Sequence, residues 1–460
     1  MDGCCSVAPH RPAADYRESA GPDQEGSYMA VINASVRDVT DFDEPITVDD
    51  AYARSCRAAL ADSAIGTVGL ELETHLVNLP AVADPVTWPQ VETVTSVLRA
   101  ADIRSAVTVE PGGQVELSGP PAAGIATAVK ELGLDARGVR EALADHGLGV
   151  AYVGADPLRP SRRVNPRPRY RAMEQHYRAT GRGDAGAVMM NSTAALQVNL
   201  QAGPEHQWPD RVALAHRIGP TMLAISANSP FLHGEYTGWK SARQRAWSGL
   251  DERACGPVPG CADRAPPPAV EPNPAEAWAR YAMQAPVAFV QCPGGDEVLA
   301  VGKPVSFEQW ARGDVRLGNR APTAADLDTH LTTLFPPVRL RGYLELRYLD
   351  MTAPWWWPAI ATVVTTLMDD PAAADAAAEA TEQAAPLWTE AARDGLADSK
   401  LAKSAARCVA IAASYAPAEL SSAVADLADL VESGRCPGDL LAERVEQVGP
   451  TAAFEELAYA

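Results

Sequence analysis

The chain has 460 residues, 47% apolar and 21% charged, a composition typical of a soluble globular protein with room for roughly two to four domains. Its net charge of −20 argues against nucleic acid as a partner, because phosphate backbones are bound by clustered lysine and arginine. No apolar run approaches the ~18 residues of a membrane helix, and residues 1–44 contain no stretch typical of a signal peptide. We therefore expect a cytoplasmic protein with no membrane partner.

Several signatures of common enzyme classes are missing from the sequence. The eight cysteines include no Cys-x-x-Cys pair and the eight histidines no His-Glu-x-x-His, so we expect reduced thiols and no zinc site. The chain also lacks a Gly-x-x-x-x-Gly-Lys-Ser/Thr loop, a Gly-x-Gly-x-x-Gly after a strand and a Gly-x-Ser-x-Gly elbow. A phosphate-handling site would then rely on hard cations held by carboxylates on strands.

The predicted elements divide the chain into three parts. Residues 1–45 are polar, rich in glycine and proline and without periodicity, which predicts a disordered or loosely attached extension. Residues 46–370 contain the predicted strands and are expected to form the catalytic sheet domain. From Pro371 to residue 460 the chain is rich in alanine with apolar residues at one-turn spacing, which predicts an α-helical region packed on the sheet.

In the middle part, the spacing predicts helices, strands and one hairpin. The predicted helices lie near Asp49–Asp62, Val91–Ala101 and Ile125–Gly147. A hairpin is expected over Thr108–Glu116, because Glu110-Pro-Gly-Gly is turn chemistry that brings Glu110 and Glu116 onto adjacent strands. Leu148–Val153 is expected to be a short buried strand.

Four predicted strands carry carboxylates and amides on one face. Side chains alternate along a strand, so Glu71, Glu73 and His75 share one face and the leucines at 70, 72 and 76 share the other. The four stretches are Glu71–His75, Val109–Glu116, Leu196–Leu200 and Leu344–Tyr348. Acids at two-residue spacing with almost no lysine predict a cavity that holds cations, with a solvated acidic face as the less favoured alternative. Mg²⁺ suits such oxygen ligands better than zinc does.

Two basic segments interrupt this acidic chain. Residues 159–171 hold six arginines among three prolines. They form either a solvated loop or a segment in which one or two arginines bind a carboxylate or phosphate, and both interpretations stay open. Arg243 and Arg245 lie between Trp239 and Trp247. The following segment, Asp251–Pro274, is rich in proline and glycine and is expected to be a mobile insertion.

Taken together, these segments resemble glutamate-cysteine ligase. The similarity is to the branch that contains the plant enzymes and the actinobacterial EgtA type, which supplies γ-glutamylcysteine for ergothioneine biosynthesis. It extends over about Val68–Asp350 and is specific, because several motifs occur in the family's order. The matching segments are Val68–Glu73, Val109–Gly119, Arg169–Met173, Met189–Leu200 and Ala227–Pro230.

The resemblance implies an α+β fold, in which a curved, mainly antiparallel sheet of the glutamine-synthetase-like catalytic type is flanked by helices and followed by a helical C-terminal part. Residues 46–370 would be the ATP-grasping domain. The implied metal carboxylates are Glu71, Glu73, Glu110, Glu116 and Glu345. Gln197 would contact a metal or phosphate and Arg347 the transferring phosphate, with Glu73 and Arg347 as catalytic residues. The implied glutamate-binding residues are Arg169, Thr193, Arg243 and Trp247.

The implied reaction begins with phosphorylation of the γ-carboxylate of L-glutamate by ATP, with two or more Mg²⁺ ions and Arg347 stabilising the charge. The amine of L-cysteine then displaces phosphate from γ-glutamyl phosphate. Because water would hydrolyse this intermediate, we expect a mobile cover, with Arg339–Arg341 and the loop after Asp251 as candidates. The partners would be small molecules, and the oligomeric state stays open, a monomer included. The alternatives are a ligase of the same fold with another acceptor amine and a non-catalytic relative that binds glutamate or a nucleotide.

Overall fold

The computed structural model describes residues 44–261, 273–292 and 297–459. The extension predicted for residues 1–45 therefore lies almost entirely outside the described residues. The same holds for the centre of the predicted mobile insertion, residues 262–272. The division of the chain into three parts stays a prediction.

An antiparallel sheet organises the described residues. Their strands are β1 (Thr67–Asn78), β2 (Ala106–Val109), β3 (Val115–Ser118), β4 (Ala122–Ala123), β5 (Leu148–Ala151), β6 (Ala195–Gln201), β7 (Phe231–Leu232), β8 (Glu235–Tyr236), β9 (Phe289–Gln291), β10 (Val298–Ala300), β11 (Val338–Leu340) and β12 (Tyr343–Asp350). Eight of them form one sheet in the order β11-β12-β6-β1-β3-β2, with β4 and β5 also paired to β1. All of these pairs are antiparallel, which confirms the predicted α+β class with a mainly antiparallel sheet.

Strand β1 lies at the centre of this sheet. It pairs with β3 and β6 through its middle, with β4 near its start and with β5 at its end. The predicted alternation is confirmed, since Leu70, Leu72 and Leu76 are buried and belong to the main hydrophobic core. Its opposite face is therefore free to carry Glu71 and Glu73.

Helices accompany the sheet along the whole described chain. They are α1 (Val48–Ala59), α2 (Trp88–Ala100), α3 (Ile125–Ala144), α4 (Pro168–Ala179), α5 (Gly183–Ser192), α6 (Trp208–Arg217), α7 (Gly219–Ser226), α8 (Ala242–Ser248), α9 (Glu252–Cys255), α10 (Pro274–Gln284), α11 (Phe307–Arg312), α12 (Ala324–Leu331), α13 (Trp357–Asp369), α14 (Pro371–Ala380), α15 (Trp388–Arg393), α16 (Ser399–Tyr415), α17 (Ser421–Glu432), α18 (Pro437–Val448) and α19 (Pro450–Tyr459). Short 3-10 helices lie at Leu79–Ala81, Glu205–Gln207, Gly395–Ala397 and Ala418–Leu420. Within the described part of the chain, none of these helices is long and apolar enough to cross a bilayer.

One hydrophobic core joins the apolar face of the sheet to the helices. Helix α3 contributes its predicted stripe, Val129, Leu132, Val139 and Leu143. The chain then turns at Gly147, whose φ of +66° glycine adopts without strain. The helical structure predicted from Pro371 onward is confirmed by α14–α19, and Val424 and Leu427 of α17 belong to the same core. The helices therefore cover the apolar side and leave the acidic face of the sheet to the site.

Candidate active site

The strand register aligns the predicted acidic side chains in one row. Glu73 of β1 lies directly opposite Glu116 of β3, and Glu71 lies opposite Gln197 of β6. Directly paired residues point to the same face of a sheet, so these four side chains share one surface. The predicted convergence of the strands is therefore present in the fold.

Glu110 belongs to the β2–β3 hairpin, whose turn is confirmed. The backbone N–H of Glu110 donates to the carbonyl oxygen of Gln114 at 2.9 Å, and Gly113 has a φ of +91°. A Cβ atom on Gly112 would lie 2.2 Å from the carbonyl oxygen of Asn191, so this position admits only glycine. The acidic turn is thus packed directly against the end of α5.

Neutral amide groups orient the two carboxylates of β1. Glu73 accepts hydrogen bonds from the backbone N–H of Ala195 (2.7 Å) and from Nε2 of Gln197 (2.8 Å). Glu71 accepts one from Nδ2 of Asn199 (2.8 Å). These donors hold the carboxylates in place without cancelling their charge.

The four acids on β1 and the hairpin repel one another in a poorly solvated setting. Burial, with the charges of Glu116 and Glu345, raises the pKa of Glu71 to about 7. Burial, with Glu116 and Glu73, raises the pKa of Glu110 to about 8. The pKa values of Glu73 and Glu116 are also raised, mainly by burial. A cation bound among them would relieve this repulsion.

The donor set fits a hard cation in its chemistry, since it consists of carboxylate and amide oxygens. Among the residues that the structure describes, no three His, Cys, Asp or Glu side chains are already arranged as a metal cage. One of these oxygens is already hydrogen-bonded within the protein, because the hydroxyls of Thr108 (3.0 Å) and Ser118 (3.1 Å) both donate to Oε1 of Glu116. A metal held by Glu116 would have to compete with these two hydroxyl groups.

The β11–β12 side of the same face has the opposite character. Glu345 accepts hydrogen bonds from Nε and Nη2 of Arg339, the second at 2.8 Å. Two further arginines lie near the same carboxylate: Nη1 of Arg347 at 3.4 Å and Nη1 of Arg341 at 3.5 Å. Burial opposes the ionisation of Glu345, but these arginines outweigh it and lower its pKa to about 2. A metal bound by Glu345, as the resemblance implies, would have to compete with Arg339.

Arg347 connects the two sides of the face. Its Nη1 donates to Oε1 of Gln197 at 2.5 Å, and Nε2 of the same Gln197 donates to Glu73. The guanidinium also lies 5.7 Å from the centre of the Phe335 ring, within the range of a cation–π interaction. Arg347 is thus held beside the acids by Gln197 and Phe335.

Arg243 lies next to this group and is supported by buried Asp350. Asp350 accepts a hydrogen bond from Oγ of Ser229 (2.6 Å) and lies 3.9 Å from Nη1 of Arg243. Nη2 of Arg243 donates to the carbonyl oxygen of Arg347 (2.7 Å), and its guanidinium lies 5.8 Å from the Trp247 ring. Nε of Arg243 and Nε1 of Trp247 are buried without a hydrogen-bond partner. Each of these two N–H groups is a donor that a carboxylate oxygen could accept.

Arg169 and Thr193 lie at the hairpin end of the face. Burial lowers the pKa of Arg169, while the negative charge of Glu110 acts against that effect. The Arg169 guanidinium also lies 5.6 Å from the Phe289 ring. The hydroxyl of Thr193 donates to the carbonyl oxygen of Met189 at 2.6 Å, which fixes it at the end of α5.

Comparison with known proteins identifies the family. The model of glutamate-cysteine ligase family 2 (GCS2) matches residues 67–457. The chain belongs to this family. Glutamate–cysteine ligase EgtA of Mycolicibacterium smegmatis is 48% identical over 412 residues, covering 90% of this chain and 95% of that protein. EgtA of Mycobacterium tuberculosis H37Rv is 48% identical over 397 residues, covering 86% and 89%. The predicted family is therefore confirmed.

Two more distant glutamate–cysteine ligases are also similar to this chain. The chloroplastic glutamate–cysteine ligase of Nicotiana tabacum is 27% identical over 368 residues, covering 74% of this chain and 66% of that protein. The solved glutamate–cysteine ligase of Francisella tularensis, in complex with AMP, superposes with a TM-score of 0.53 at 14% identity, covering 87% and 89% of the two chains. This structural likeness shows that the fold is the one the sequence predicted.

In this family member, the predicted site residues interact across the sheet. Glu73 is influenced by the charges of Arg243 and Arg347, and Glu110 by that of Arg169. Of the five predicted metal carboxylates, Glu345 alone has a lowered pKa, because arginines of the protein compensate its negative charge. The roles assigned to these residues stay predictions, but their proximity is a feature of the fold.

The basic segment at 159–171 divides between the two interpretations. Arg159 is buried, donates to Asp156 at 2.6 Å and to the carbonyl oxygen of Leu76 at 2.7 Å. Arg163 donates to Glu174 at 3.0 Å. The exposed members are Arg162, Arg167 and Arg171. Two of the arginines therefore bind carboxylates, but those of the chain itself, and others form a solvated surface.

Two features of the site differ from the sequence-based expectation. Arg339 is buried in β11 and paired with Glu345, so the expectation of a mobile cover at Arg339–Arg341 is wrong. Phe335 was not predicted as a site residue, yet its ring meets Arg347, Arg339 at 5.9 Å and the edge of Trp247 at 5.6 Å. The available signal was an aromatic residue directly before Pro336-Pro337 at the start of β11.

Proposed function

We propose that this chain is an ATP- and Mg²⁺-dependent ligase that joins the γ-carboxylate of L-glutamate to the amine of L-cysteine, releasing γ-glutamylcysteine, ADP and phosphate. The observation that carries the proposal is the divided face of the sheet, with repelling carboxylates beside arginines, in a member of glutamate-cysteine ligase family 2. Such a face complements a ligand that brings both cations and phosphates.

The four repelling carboxylates are the proposed metal ligands, namely Glu71, Glu73, Glu110 and Glu116, with Glu345 joining if Arg339 releases it. Their raised pKa values support this role, because a cation offsets both burial and repulsion. Two or more Mg²⁺ ions, when bound, would neutralise the phosphates of ATP and polarise the bond to the transferred phosphoryl group. Gln197, which orients Glu73, would contact a metal or phosphate.

Arg347 is proposed to stabilise the phosphoryl group during its transfer. Its hydrogen bond to Gln197 and its contact with Phe335 hold the guanidinium in one orientation before substrate binds. Such preorganisation matters because charge on the oxygens of the transferring group develops only during the reaction. Arg347 and Glu73 are therefore the proposed catalytic residues.

The glutamate site is proposed at Arg169, Thr193, Arg243 and Trp247. The unpartnered Nε of Arg243 and Nε1 of Trp247 would donate to a carboxylate of the substrate. Asp350 supports Arg243 from the protein side, so the arginine is positioned even without substrate. Arg169 lies on the other side of the acids, close to Glu110.

The biological setting follows the relatives' names and is proposed with the same function. EgtA-type similarity supports γ-glutamylcysteine formation for ergothioneine biosynthesis. The expected partners are glutamate, cysteine and ATP, and the expected location is the cytoplasm. Deletion of the gene in its host should then remove ergothioneine, and retention of ergothioneine would overturn the pathway assignment alone.

The reaction is tested by phosphate release from ATP and Mg²⁺ with glutamate present, comparing cysteine, 2-aminobutyrate, alanine and no amine, with mass detection of products. We expect release that depends on cysteine and yields γ-glutamylcysteine. Release that depends on another amine would replace the acceptor and keep the ligase class. Nucleotide binding without phosphate release under any of these conditions would overturn the catalytic proposal in favour of a binding protein.

A further inference from the structure

The segment Ala227–Pro230 is one of those in which this chain resembles glutamate-cysteine ligase, but none of the proposed site residues lies in it. It directly follows α7, and its two central residues, Asn228 and Ser229, are 4% and 0% exposed. Polar side chains are rarely buried this completely unless hydrogen bonds hold them. The hydrogen bonds of these two residues therefore indicate what the segment does.

Ser229 connects the end of β12 to the beginning of α8. Its Oγ donates to Oδ2 of Asp350 at 2.6 Å and accepts the backbone N–H of Arg243 at 3.2 Å. Its carbonyl oxygen accepts the backbone N–H of Ala242 at 2.9 Å. The N–H groups in the first turn of a helix have no partner within the helix. Ser229 therefore satisfies two of these groups in α8 while it also binds the carboxylate.

Ser241 makes the same kind of connection through the other oxygen of the carboxylate. Its Oγ donates to Oδ1 of Asp350 at 2.8 Å and accepts the backbone N–H of Gln244 at 3.1 Å, as the N-cap of α8. The backbone N–H of Asn228 also donates to Oδ2 of Asp350, at 3.0 Å. The carboxylate of Asp350 is therefore held by three donors, two of which are the serines that bind the helix.

Asn228 and Gly154 fix this group to the sheet. Nδ2 of Asn228 donates to the carbonyl oxygen of Met351, directly after β12, at 2.9 Å. A Cβ atom on Gly154 would lie 2.6 Å from Cγ of Asp350, so a larger residue there would displace the carboxylate. The carboxylate is thus held by packing as well as by hydrogen bonds.

The helix held in this way carries two of the proposed glutamate-binding residues, Arg243 and Trp247. Nη1 of Arg243 lies 3.9 Å from Oδ1 of Asp350, and Nη2 of Arg243 donates to the carbonyl oxygen of Arg347 at 2.7 Å. Asp350 and Arg347 belong to the same strand, β12. The position of α8 on β12 is therefore also the position of the glutamate-binding residues relative to Arg347.

We propose that Ser229, Ser241 and Asp350, which we call the serine–aspartate clamp, are positioning residues for glutamate and act through Arg243. The clamp holds the first turn of α8, so that the unpartnered Nε of Arg243 meets the substrate carboxylate in one orientation. The inference rests on the proposed function for the identity of the substrate, but not for the contacts that hold the helix.

The first arm of the test compares two buried serines, each replaced by alanine. Ser229→Ala removes a donor to Asp350 and the side-chain acceptor for Arg243, and Ser404→Ala is the matched control. Ser404 is 2% exposed and is hydrogen-bonded to Thr221 at 2.8 Å, but it lies in α16. We expect Ser229→Ala to raise the KM for glutamate roughly 5–20-fold and to change the KM for ATP less than about twofold. Ser404→Ala should leave both KM values within about twofold of wild type at a similar cost in Tm.

A double-mutant cycle shows whether Ser229 acts through Arg243. In a chain that already carries Arg243→Ala, Ser229→Ala should change the KM for glutamate less than about twofold, because the group that the serine positions is gone. A serine with a general structural role would give the same fold-change in both backgrounds. Equal fold-changes would therefore overturn the positioning role.

Asp350→Asn tests the clamp from its other side and serves if Ser229→Ala does not fold. Asparagine keeps the shape of the side chain and an oxygen for Ser229 and Asn228, but it removes the negative charge near Arg243. The KM for glutamate should again rise roughly 5–20-fold, and again much less in the Arg243→Ala background. An unchanged KM for glutamate in every folded variant of the clamp would overturn the proposal.

Hydrogen exchange separates this inference from the proposed function. In Ser229→Ala, the backbone N–H groups of residues 242–248 should exchange roughly 5–20-fold faster than in wild type, and in Ser404→Ala at the wild-type rate. Unchanged exchange in Ser229→Ala would overturn the clamp even in an active enzyme. A wild-type chain that forms no γ-glutamylcysteine would overturn the proposed function instead, and the exchange rates would still decide whether the clamp holds α8.

Discussion

The pKa values of buried glutamates are raised on one half of the sheet face and lowered on the other. On the β1–β3 half, burial and like charges raise the pKa of Glu71 to about 7 and that of Glu110 to about 8. On the β11–β12 half, Glu345 is buried as well, yet Arg339 and Arg347 lower its pKa to about 2. The neighbours of a buried carboxylate, and not its burial alone, decide whether it resists ionisation.

The difference indicates what each half still requires from a ligand. The β1–β3 half holds four crowded carboxyl groups that resist ionisation, and the neutral amides that orient two of them supply no compensating charge. On the arginine half, Glu345 is already paired with arginines, and Nε of Arg243 is a buried donor without a partner that an anion could occupy. A phosphate bridged by cations satisfies both halves at once. The difference between the two halves is therefore the one expected for a site that binds ATP together with Mg²⁺.

The largest expected effect comes from removing one charge on the acidic half. Glu73→Gln keeps the shape of the side chain but deletes a proposed metal ligand. Since the loss of an outer partner of a metal ligand already costs ~10–100-fold, ligase activity should fall more than ~100-fold. The Tm should change little, because relief of the repulsion among the four acids offsets the loss of one of the two acceptors for Ala195 and Gln197. Phosphate-release kinetics and thermal unfolding measure the two effects.

Glu456→Gln is the matched control for Glu73→Gln. Glu456 pairs with Arg444 on the exposed surface of the C-terminal helices. Its substitution should change activity less than about twofold. Near-normal turnover of Glu73→Gln would remove Glu73 from the metal shell. A drop in Tm larger than the loss of one hydrogen bond explains would contradict the claim that the acids repel one another.

The acidic half was predictable from the sequence because it is local. Two-residue spacing places Glu71 and Glu73 on one face of a strand, and Pro-Gly-Gly places Glu110 in a turn. Antiparallel pairing then brings Glu116 opposite Glu73. The composition change at Pro371 likewise predicted the C-terminal helices, since alanine-rich one-turn spacing is a local pattern.

The arginine half was predictable only in part, because it depends on tertiary contacts. Arg339 and Glu345 are six residues apart across a tight β11–β12 connection, and the sequence alone suggested a mobile cover there. Phe335 reaches Arg347 and Trp247 from a loop that no motif marked.

The next largest effect is expected on the arginine half. Arg243→Ala removes a buried donor for the substrate carboxylate, and a hydrogen bond between charged groups contributes enough to raise the KM for glutamate roughly 10–100-fold. The KM for ATP should change much less. Arg245→Ala is the control, because Arg245 lies on the same helix over the Trp239 ring. Equal weakening of both substrates by Arg243→Ala would count against its assigned role.

A smaller effect should follow from changing the support of Arg347. Phe335→Leu keeps an apolar side chain but removes the ring under two guanidinium groups. Because a cation–π contact contributes modestly, kcat should fall roughly 2–10-fold, with little change in the KM for glutamate. Phe335→Tyr retains the ring and should stay near wild type. Equal losses in Phe335→Leu and Phe335→Tyr would show that shape, rather than the aromatic face, positions Arg347.

The smallest effect is expected outside the site, at Asp439. Like Glu345, this carboxylate is paired with a cationic side chain and has a lowered pKa. Asp439 is held by Lys240 and by the N–H of Cys436 at 2.9 Å. Burial opposes ionisation, but these donors outweigh it and keep the pKa of Asp439 below its usual value. The pairing therefore stabilises the fold above the unfolded pKa of ~3.9 and stops doing so as pH falls through the lower folded value.

Asp439→Asn keeps an acceptor for Cys436 and loses only the charge. It should lower the free energy of unfolding by about 1–2 kcal/mol at neutral pH, and the difference from wild type should shrink as the pH falls below ~4. Lys240→Met should give the same pH profile, and the double variant should add little, since both remove one pair. Denaturant unfolding at several pH values measures all three. A difference that persists undiminished in acid would mean that Asp439 stabilises the fold through packing, and would separate it from the arginine-paired Glu345.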